Sequence, residues 1–154
     1  MFAALVLGWF FLLRGGEYTL NPSSPWQLDR VVRGSDVRPM AEGQPVDRFE
    51  NADEVTLHPR GSKVDQYNQG QERNLYRSGE DLCPVRVLAE LQRRFPERWT
   101  TEAHLPLFRR KDGSMVRRED IVKVVRISAQ ACGDDPSELD GHSVRRGGAT
   151  ALFN

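Results

Sequence analysis

The opening segment constrains the fold most, because Phe2 to Leu13 is almost wholly apolar and runs directly into Arg14. A bilayer crossing needs roughly 20 apolar residues, and a secretory signal peptide carries basic residues before its apolar stretch. We therefore predict a buried helix from Phe2 to Arg14 that ends near Gly15-Gly16, where glycine suits a left-handed cap. A signal peptide is the alternative. A buried helix without a preceding turn or cap also predicts that the chain starts inside a larger domain.

Composition places the chain among globular proteins. Its 154 residues fit one ordinary domain, and contents of 38% hydrophobic and 29% charged residues predict a soluble fold. Cys83 and Cys132 share no metal-ligand spacing with each other or with the three histidines. The sequence therefore indicates neither a zinc site nor a disulfide framework, and a reduced intracellular compartment is the simpler interpretation.

Charge is distributed unevenly although the formal net charge is zero. Residues 29–82 contain 8 basic and 11 acidic side chains, a net charge of −3, whereas residues 83–132 contain 11 basic and 6 acidic side chains, a net charge of +5. The second region could face a polyanion such as nucleic acid. Its arginines could equally form ordinary solvated faces, so charge alone does not decide between these interpretations.

Two short segments with alternating side chains predict a β-hairpin. Glu54 to His58 alternates polar and apolar residues, and Asn74 to Tyr76 offers a second strand. Residues 59–70 between them carry the glycines and polar side chains that a turn needs. A weaker pattern of valines among charged residues predicts another short strand from Leu28 to Val37.

Three later segments predict helices. Leu82 to Phe95 has apolar residues at three- and four-residue intervals, and Pro84 suits the start of a helix. Arg118 to Cys132 shows the same spacing and is followed by Gly133, which predicts a C-cap. Ser143 to Asn154 predicts the beginning of a further helix.

The segment from Gly141 to Thr150 carries the most chemistry, because His142 and Arg145 stand three residues apart at the start of the last predicted helix. Side chains at this spacing share a helix face, so both could address one phosphate. A phosphodiester under attack gains negative charge, which planar guanidinium groups stabilise through bidentate, charge-assisted hydrogen bonds. A His-x-x-Arg pair by itself also occurs on solvated helices, so its meaning depends on the rest of the chain.

Two further features accompany this pair. Arg14 follows the apolar opening segment and precedes Glu17, although an arginine at that place could simply be a helix-end cation. Lys63 lies in the predicted hairpin turn, where a lone lysine is ordinarily solvated. Helix-end arginine, hairpin lysine and His-x-x-Arg pair occur in this order along the chain, and the chance of matching separate weak motifs falls with each one added.

This ordered set resembles the catalytic domain of the tyrosine recombinases, the phage integrase family, and the intervening segments are similar to the integrase-like recombinases of eukaryotic mobile elements. The resemblance implies an α+β fold that is mainly helical with a small antiparallel β-sheet. It also implies double-stranded DNA and other recombinase protomers as partners, no cofactor, no metal, and a nuclear or nucleoid location without membrane attachment.

The resemblance assigns roles to individual residues. Arg14 and Arg145 would stabilise the scissile phosphate, with Glu17 supporting Arg14. His142 would contact the phosphate and take part in proton transfer, and Lys63 would reach the minor groove and protonate the leaving 5′ oxygen. The implied catalytic residues are thus Arg14, Lys63, His142 and Arg145, and the implied DNA-binding residues are Arg14, Lys63, Arg145 and Arg146.

The chain departs from the family pattern in its tyrosines. The family places a further histidine or tryptophan and then the nucleophilic tyrosine beyond the second arginine, whereas Tyr18, Tyr67 and Tyr76 all precede it. We therefore expect residues 1–154 to be a partial catalytic domain without the DNA-clamping domain and without the tyrosine segment, inactive alone. A non-catalytic DNA-binding remnant of a mobile element is the alternative, and an interaction domain unrelated to DNA is a third possibility.

Overall fold

The computed structural model describes residues 1–20, 29–60 and 71–153. For residue 153 it describes the backbone alone. The chain forms two compact units. Met1–Leu28 and Phe108–Asn154 make up one, called here the helical unit, and Asp29–Leu107 make up the other, called the sheet unit. Within the described residues, no helix is long and apolar enough to cross a membrane.

The predicted α+β composition with a small antiparallel sheet is confirmed. The helices of the described residues are α1 (Phe2–Phe10), α2 (Gly15–Tyr18), α3 (Pro84–Arg94), α4 (Arg118–Cys132) and α5 (Ser143–Phe153). The strands are β1 (Val37–Ala41), β2 (Gln44–Pro45), β3 (Glu54–Leu57) and β4 (Arg73–Tyr76). Helix α4 has the predicted bounds, and Gly133 caps it with φ 87°.

The first helix ends earlier than the sequence predicts. Helix α1 stops at Phe10, and Leu12 adopts the left-handed conformation with φ 53°. The N–H of Leu12 donates to the Trp9 carbonyl and that of Leu13 to the Gly8 carbonyl, a helix-ending arrangement usually built on glycine. Burial of the flanking apolar side chains offsets the cost of about 1 kcal/mol for a left-handed leucine.

The predicted cap at Gly15-Gly16 is therefore wrong. These two glycines open the separate short helix α2, for which Arg14 is the N-cap residue in extended conformation, with φ −72° and ψ 148°. Leu13 is buried, 1% exposed, so the chain turns at Leu12 in order to keep both sides of the turn in the core. Arg14 consequently stands between two helices rather than at the end of one.

The sheet unit contains four antiparallel strands in the order β2-β1-β3-β4. The predicted hairpin is confirmed in its pairing, since Glu54 is opposite Tyr76 and Leu57 is opposite Arg73. The predicted strand from Leu28 to Val37 is wrong, because β1 begins where that segment ends. Residues Gly34–Asp36 instead form a short 3-10 turn whose amide end is satisfied by the Asp36 carboxylate.

The sequence does not signal strand β2, because one of its two residues is Pro45, which has no N–H to donate to a neighbouring strand. Strands β1 and β2 are joined by Glu42 and Gly43, which have φ values of 51° and 75°. Two consecutive residues with positive φ form the type of turn that matches the twist of a two-residue hairpin.

Helix α3 covers the sheet unit, as its apolar spacing predicts. Its buried face carries Val85 and Leu88, each 0% exposed, and it packs against the 3-10 turn at Phe49–Asn51. Gln92 fixes this packing, because its amide oxygen accepts the Phe49 N–H at 3.0 Å. The Phe49 ring meets the Trp99 ring edge-on, with centroids 5.3 Å apart.

Candidate functional site

Helices α1 and α5 pack closely in the helical unit because two glycines face Trp9. A Cβ built on Gly148 would lie 2.3 Å from the Trp9 carbonyl oxygen, and one built on Gly147 would lie 2.4 Å from Trp9 Cζ3. Neither glycine has a positive φ, so their absent side chains provide room rather than backbone freedom. This packing brings the first turn of α5, with His142 and Arg145, towards the chain that follows α1.

A second close approach joins the two predicted arginine motifs. A Cβ built on Gly15 would lie 3.7 Å from the carbonyl oxygen of Gly141. Gly15 directly follows Arg14, and Gly141 directly precedes His142. The structure thus brings together, in one compact unit, two segments that lie far apart in the sequence and that carry three of the four predicted catalytic residues.

Glu17 holds Arg14 in place from a buried position. The Arg14 N–H donates to Glu17 Oε2 at 2.9 Å, and Arg14 Nη1 donates to Glu17 Oε1 at 3.3 Å. The Glu17 side chain is 8% exposed and that of Arg14 is 33% exposed. Among the described residues, the bond from Nη1 to Glu17 Oε1 is the one hydrogen bond of the Arg14 guanidinium. Its other N–H groups are therefore available to a ligand.

Asp140 organises the first turn of α5. Its Oδ1 accepts the His142 N–H at 2.8 Å, the Ser143 hydroxyl at 3.2 Å and Arg146 Nη2 at 3.2 Å. The His142 N–H bond, the Ser143 hydroxyl and the Arg146 charge together hold the pKa of Asp140 below its usual value. The His142 side chain is exposed, and its carbonyl accepts the Arg146 N–H, so His142 stands immediately before the helix.

The two arginines of this turn differ in their partners. Arg146 is paired with Asp140. Arg145 is half-buried and, within the described part of the chain, its guanidinium makes no hydrogen bond or ion pair. The arrangement therefore leaves Arg145, more than Arg146, ready to bind an anion, although the sequence assigns DNA contacts to both.

Lys63 lies outside the described residues. The described flanks of its segment are the strand ends Leu57 and Arg73, which are paired, and Arg60, whose Nε donates to both oxygens of Asp36 at 2.9 and 2.7 Å. The Asp36 side chain is 6% exposed. The Arg60 side chain is thus paired with a buried acid, and the role assigned to Lys63 stays a prediction.

The two described tyrosines differ in their exposure. Tyr18 is 1% exposed and its hydroxyl packs against Gly8, where a built Cβ would be 3.2 Å from the oxygen. Burial raises the pKa of Tyr18 to about 12, against an opposing effect of the Arg118 charge. Tyr76 is 68% exposed in the sheet unit, and Tyr67 lies outside the described residues. The burial of Tyr18 is that of a packing residue.

Arg118 is a basic residue of this region that the sequence does not single out. It is the first residue of α4, and a Cβ built on Gly141 would lie 2.2 Å from its Nε. An open groove of about 790 Å³ is lined by Arg118 and by further residues of α4, among them Lys123 and Arg126. Arg118 and Gly141 are 23 positions apart in the sequence, so their proximity can be seen only in the folded structure.

Among the residues that have a described position, no group of three or more His, Cys, Asp or Glu side chains could hold a metal ion. Comparison of the chain with protein-family models, with curated proteins and with solved structures finds no match.

Proposed function

We propose that the helical unit binds the phosphodiester backbone of DNA, and that its specific function is that of a tyrosine recombinase, an enzyme of DNA strand cleavage and rejoining. The observation that carries the proposal is the close approach of the backbone at Gly15, which follows Arg14, to the backbone at Gly141, which precedes His142. Both arginines have guanidinium N–H groups without partners in the described residues, and such groups bind phosphate oxygens strongly.

The chemistry of these residues fits a phosphate that becomes more negative during reaction. Arg14, positioned by Glu17, and Arg145 would each donate to non-bridging oxygens and stabilise the pentacoordinate transition state. His142, exposed beside Arg145, would contact the same phosphate and exchange a proton with it. Lys63 would donate the proton that the leaving 5′ oxygen requires.

The recombinase reaction transfers a phosphoryl group to a tyrosine. A tyrosine hydroxyl loses its proton and attacks phosphorus, a 3′-phosphotyrosine bond forms, and the bond to the 5′ oxygen breaks to give a 5′ hydroxyl; reversal on another strand rejoins the DNA. None of Tyr18, Tyr67 and Tyr76 is assigned as that nucleophile. We therefore expect the chain by itself to bind DNA without forming a covalent adduct.

Binding of a short DNA duplex at low salt, measured by fluorescence anisotropy, tests the proposal. Wild-type protein should bind, and Arg14→Ala and Arg145→Ala should each weaken binding about tenfold, since each removes a charge-assisted hydrogen bond. Arg93→Ala is the matched control, because Arg93 is an exposed arginine of the sheet unit paired with Glu90. Equal losses in all three variants would instead support diffuse binding by a non-catalytic remnant.

A trapping experiment with nicked suicide DNA separates chemistry from binding. The purified chain should give no covalent protein–DNA adduct, whereas a chain extended by a tyrosine-bearing segment should give one that requires Arg14, Lys63 and Arg145. An adduct with the chain as it stands would contradict the assignment of its tyrosines.

A further inference from the structure

The position of Arg118 depends on the absence of a side chain at Gly141. A Cβ built on Gly141 would lie 2.2 Å from Arg118 Nε and 2.9 Å from both Cζ and Nη2. Real Cβ atoms do not approach other atoms so closely. Gly141 does not have a positive φ, so the backbone does not require glycine there. Gly141 therefore provides the space in which the Arg118 guanidinium lies against the turn that precedes His142.

Arg118 lies at a helix end that does not favour a cation. As the first residue of α4, it stands at the positive end of a helix dipole and is half-buried. Within the described residues its side chain makes no hydrogen bond or ion pair. Nearby carboxylates are engaged elsewhere, because Asp120 accepts the Arg117 N–H and an Arg110 side-chain bond, and Asp140 is paired with Arg146.

Glu119 and Asp140 line the same groove as Arg118, but within the described residues neither makes a hydrogen bond or ion pair with its guanidinium. Tyr18 is a phenol held in the core, and the Arg118 charge opposes the rise that burial causes in its pKa. Glu119, the next residue of α4, is exposed. A half-buried cation at the positive end of a helix is stabilised when an anion joins it.

We propose that Arg118 is a further phosphate-binding residue of the site formed by Arg14, His142 and Arg145. Gly141 is approached by Gly15 and by Arg118, so Arg118 adds a third guanidinium to the turn that carries His142. The inference rests on the proposed function, because it assigns Arg118 to the same DNA phosphates. The resemblance to recombinases assigns no role to this position, so Arg118 is assigned here from its contacts alone.

Salt dependence of duplex binding tests the assignment with a pair of variants that reach Arg118 by different routes. Arg118→Ala removes the charge, whereas Gly141→Ala keeps every charge and displaces the guanidinium. Each should weaken binding about tenfold and lower the slope of log affinity against log salt by about one phosphate contact. The double variant should bind no more weakly than Arg118→Ala, because the two changes remove the same interaction of Arg118 with DNA.

Gly79→Ala is the matched control for Gly141→Ala, because a Cβ built on Gly79 meets no atom within 4 Å and its φ is not positive. It should bind as wild type. Circular dichroism should verify that Gly141→Ala is folded. A measurement on wild-type protein needs no variant: the Arg118 Nε–H resonance in a ¹⁵N-arginine spectrum should shift when duplex DNA is added.

The outcomes separate the two proposals. Wild-type affinity and salt slope in Arg118→Ala, together with losses in Arg14→Ala and Arg145→Ala, would overturn the role of Arg118 and leave the proposed function standing. An unshifted Nε–H resonance at saturating DNA would also overturn it. Wild-type binding in all three arginine variants would overturn the proposed function itself.

Discussion

Two arginines in this chain are held by buried acids, but the two pairs leave different groups for a ligand. Glu17 of the helical unit and Asp36 of the sheet unit each occupy the third position of a short helical turn, and each accepts the N–H of the residue before that turn. Their arginine partners, Arg14 and Arg60, are both 33% exposed. The local construction of the two pairs is thus nearly the same.

The difference lies in how fully the guanidinium is used. Arg60 Nε donates to both oxygens of Asp36, at 2.9 and 2.7 Å, and its Nη2 reaches Ser35 at 3.4 Å. Arg14 makes one longer bond of 3.3 Å to Glu17. We infer that Arg60 stabilises the sheet unit, whereas Arg14 is oriented by its acid and keeps donors for another partner. We therefore expect the Arg60–Asp36 pair to affect the stability of the protein and the Arg14–Glu17 pair to affect DNA binding.

The largest effect is expected from Asp36→Ala. The change leaves the Arg60 guanidinium and the Arg33 N–H without their acceptor, so the free energy of unfolding should fall by about 3 kcal/mol. Urea denaturation followed by circular dichroism measures this. Asp81→Ala is the control, since Asp81 is fully exposed and 3.7 Å from Arg86, and should change stability by less than about 0.5 kcal/mol. A loss no larger than the control would show that the pair is not structural.

In the helical unit, stability should depend on glycine rather than on the arginine. Gly148→Ala would place a methyl group against the Trp9 backbone and should cost about 2 kcal/mol, because neither backbone can move without separating α1 from α5. Gly147→Ala meets the Trp9 ring, which is 38% exposed and can shift, so its cost should be about 1 kcal/mol. Thermal denaturation of both variants checks the order, and equal midpoints would contradict it.

Arg14→Ala should show the opposite behaviour to Asp36→Ala. Its unfolding free energy should change by less than about 1 kcal/mol, since a partly exposed pair with one long bond contributes little. Its affinity for a DNA duplex should fall about tenfold, while Arg60→Ala should lose stability and keep the affinity of wild type. The same urea and anisotropy measurements on both variants decide it, and a loss of affinity in Arg60→Ala would remove the distinction.

The smallest effect is expected at Asp140. Because its folded pKa is depressed, its contribution to stability is present above the ordinary value of 3.8 and is lost as the pH falls through the folded pKa. Asp140→Ala should cost only about 0.5 kcal/mol at pH 7, because Asp140 is half-exposed and its interactions are screened by solvent, and the loss should shrink as the pH falls. Unfolding curves of the variant and of wild type at a series of pH values from 7 downwards measure this, and a loss that stays the same as the pH falls would rule out an ionic contribution of Asp140.

The elements that could be predicted are those with a local signal. Helix α4 has both an apolar stripe and Gly133 at its end, and the hairpin of β3 and β4 has alternating strands around a polar turn. Helix α1 lacks such a signal, because a uniformly apolar segment has no periodicity to mark where it stops. The helix ends at Phe10 and the chain turns at Leu12 because the neighbouring side chains pack in the core, and this packing cannot be seen in the sequence.

Some features of the candidate site could likewise be predicted from the sequence, whereas others could not. The order of Arg14, Lys63 and the His142–Arg145 pair could be read from the chain, because residue types and spacing carry that information. The contact between Gly141 and Arg118 could not, since a glycine that provides space looks the same in sequence as one that provides a turn. The different partners of Arg145 and Arg146 likewise could not be predicted, because the ion pair of Arg146 with Asp140 appears only in the folded turn.

A double-mutant cycle of Arg14 and Arg145 in duplex binding tests most directly whether the two guanidiniums share one phosphate. If they do, the loss in Arg14→Ala/Arg145→Ala should differ from the sum of the single losses by at least about 0.5 kcal/mol. Losses that add within experimental error would place the two arginines on separate phosphates, and the site proposed for the helical unit would not exist.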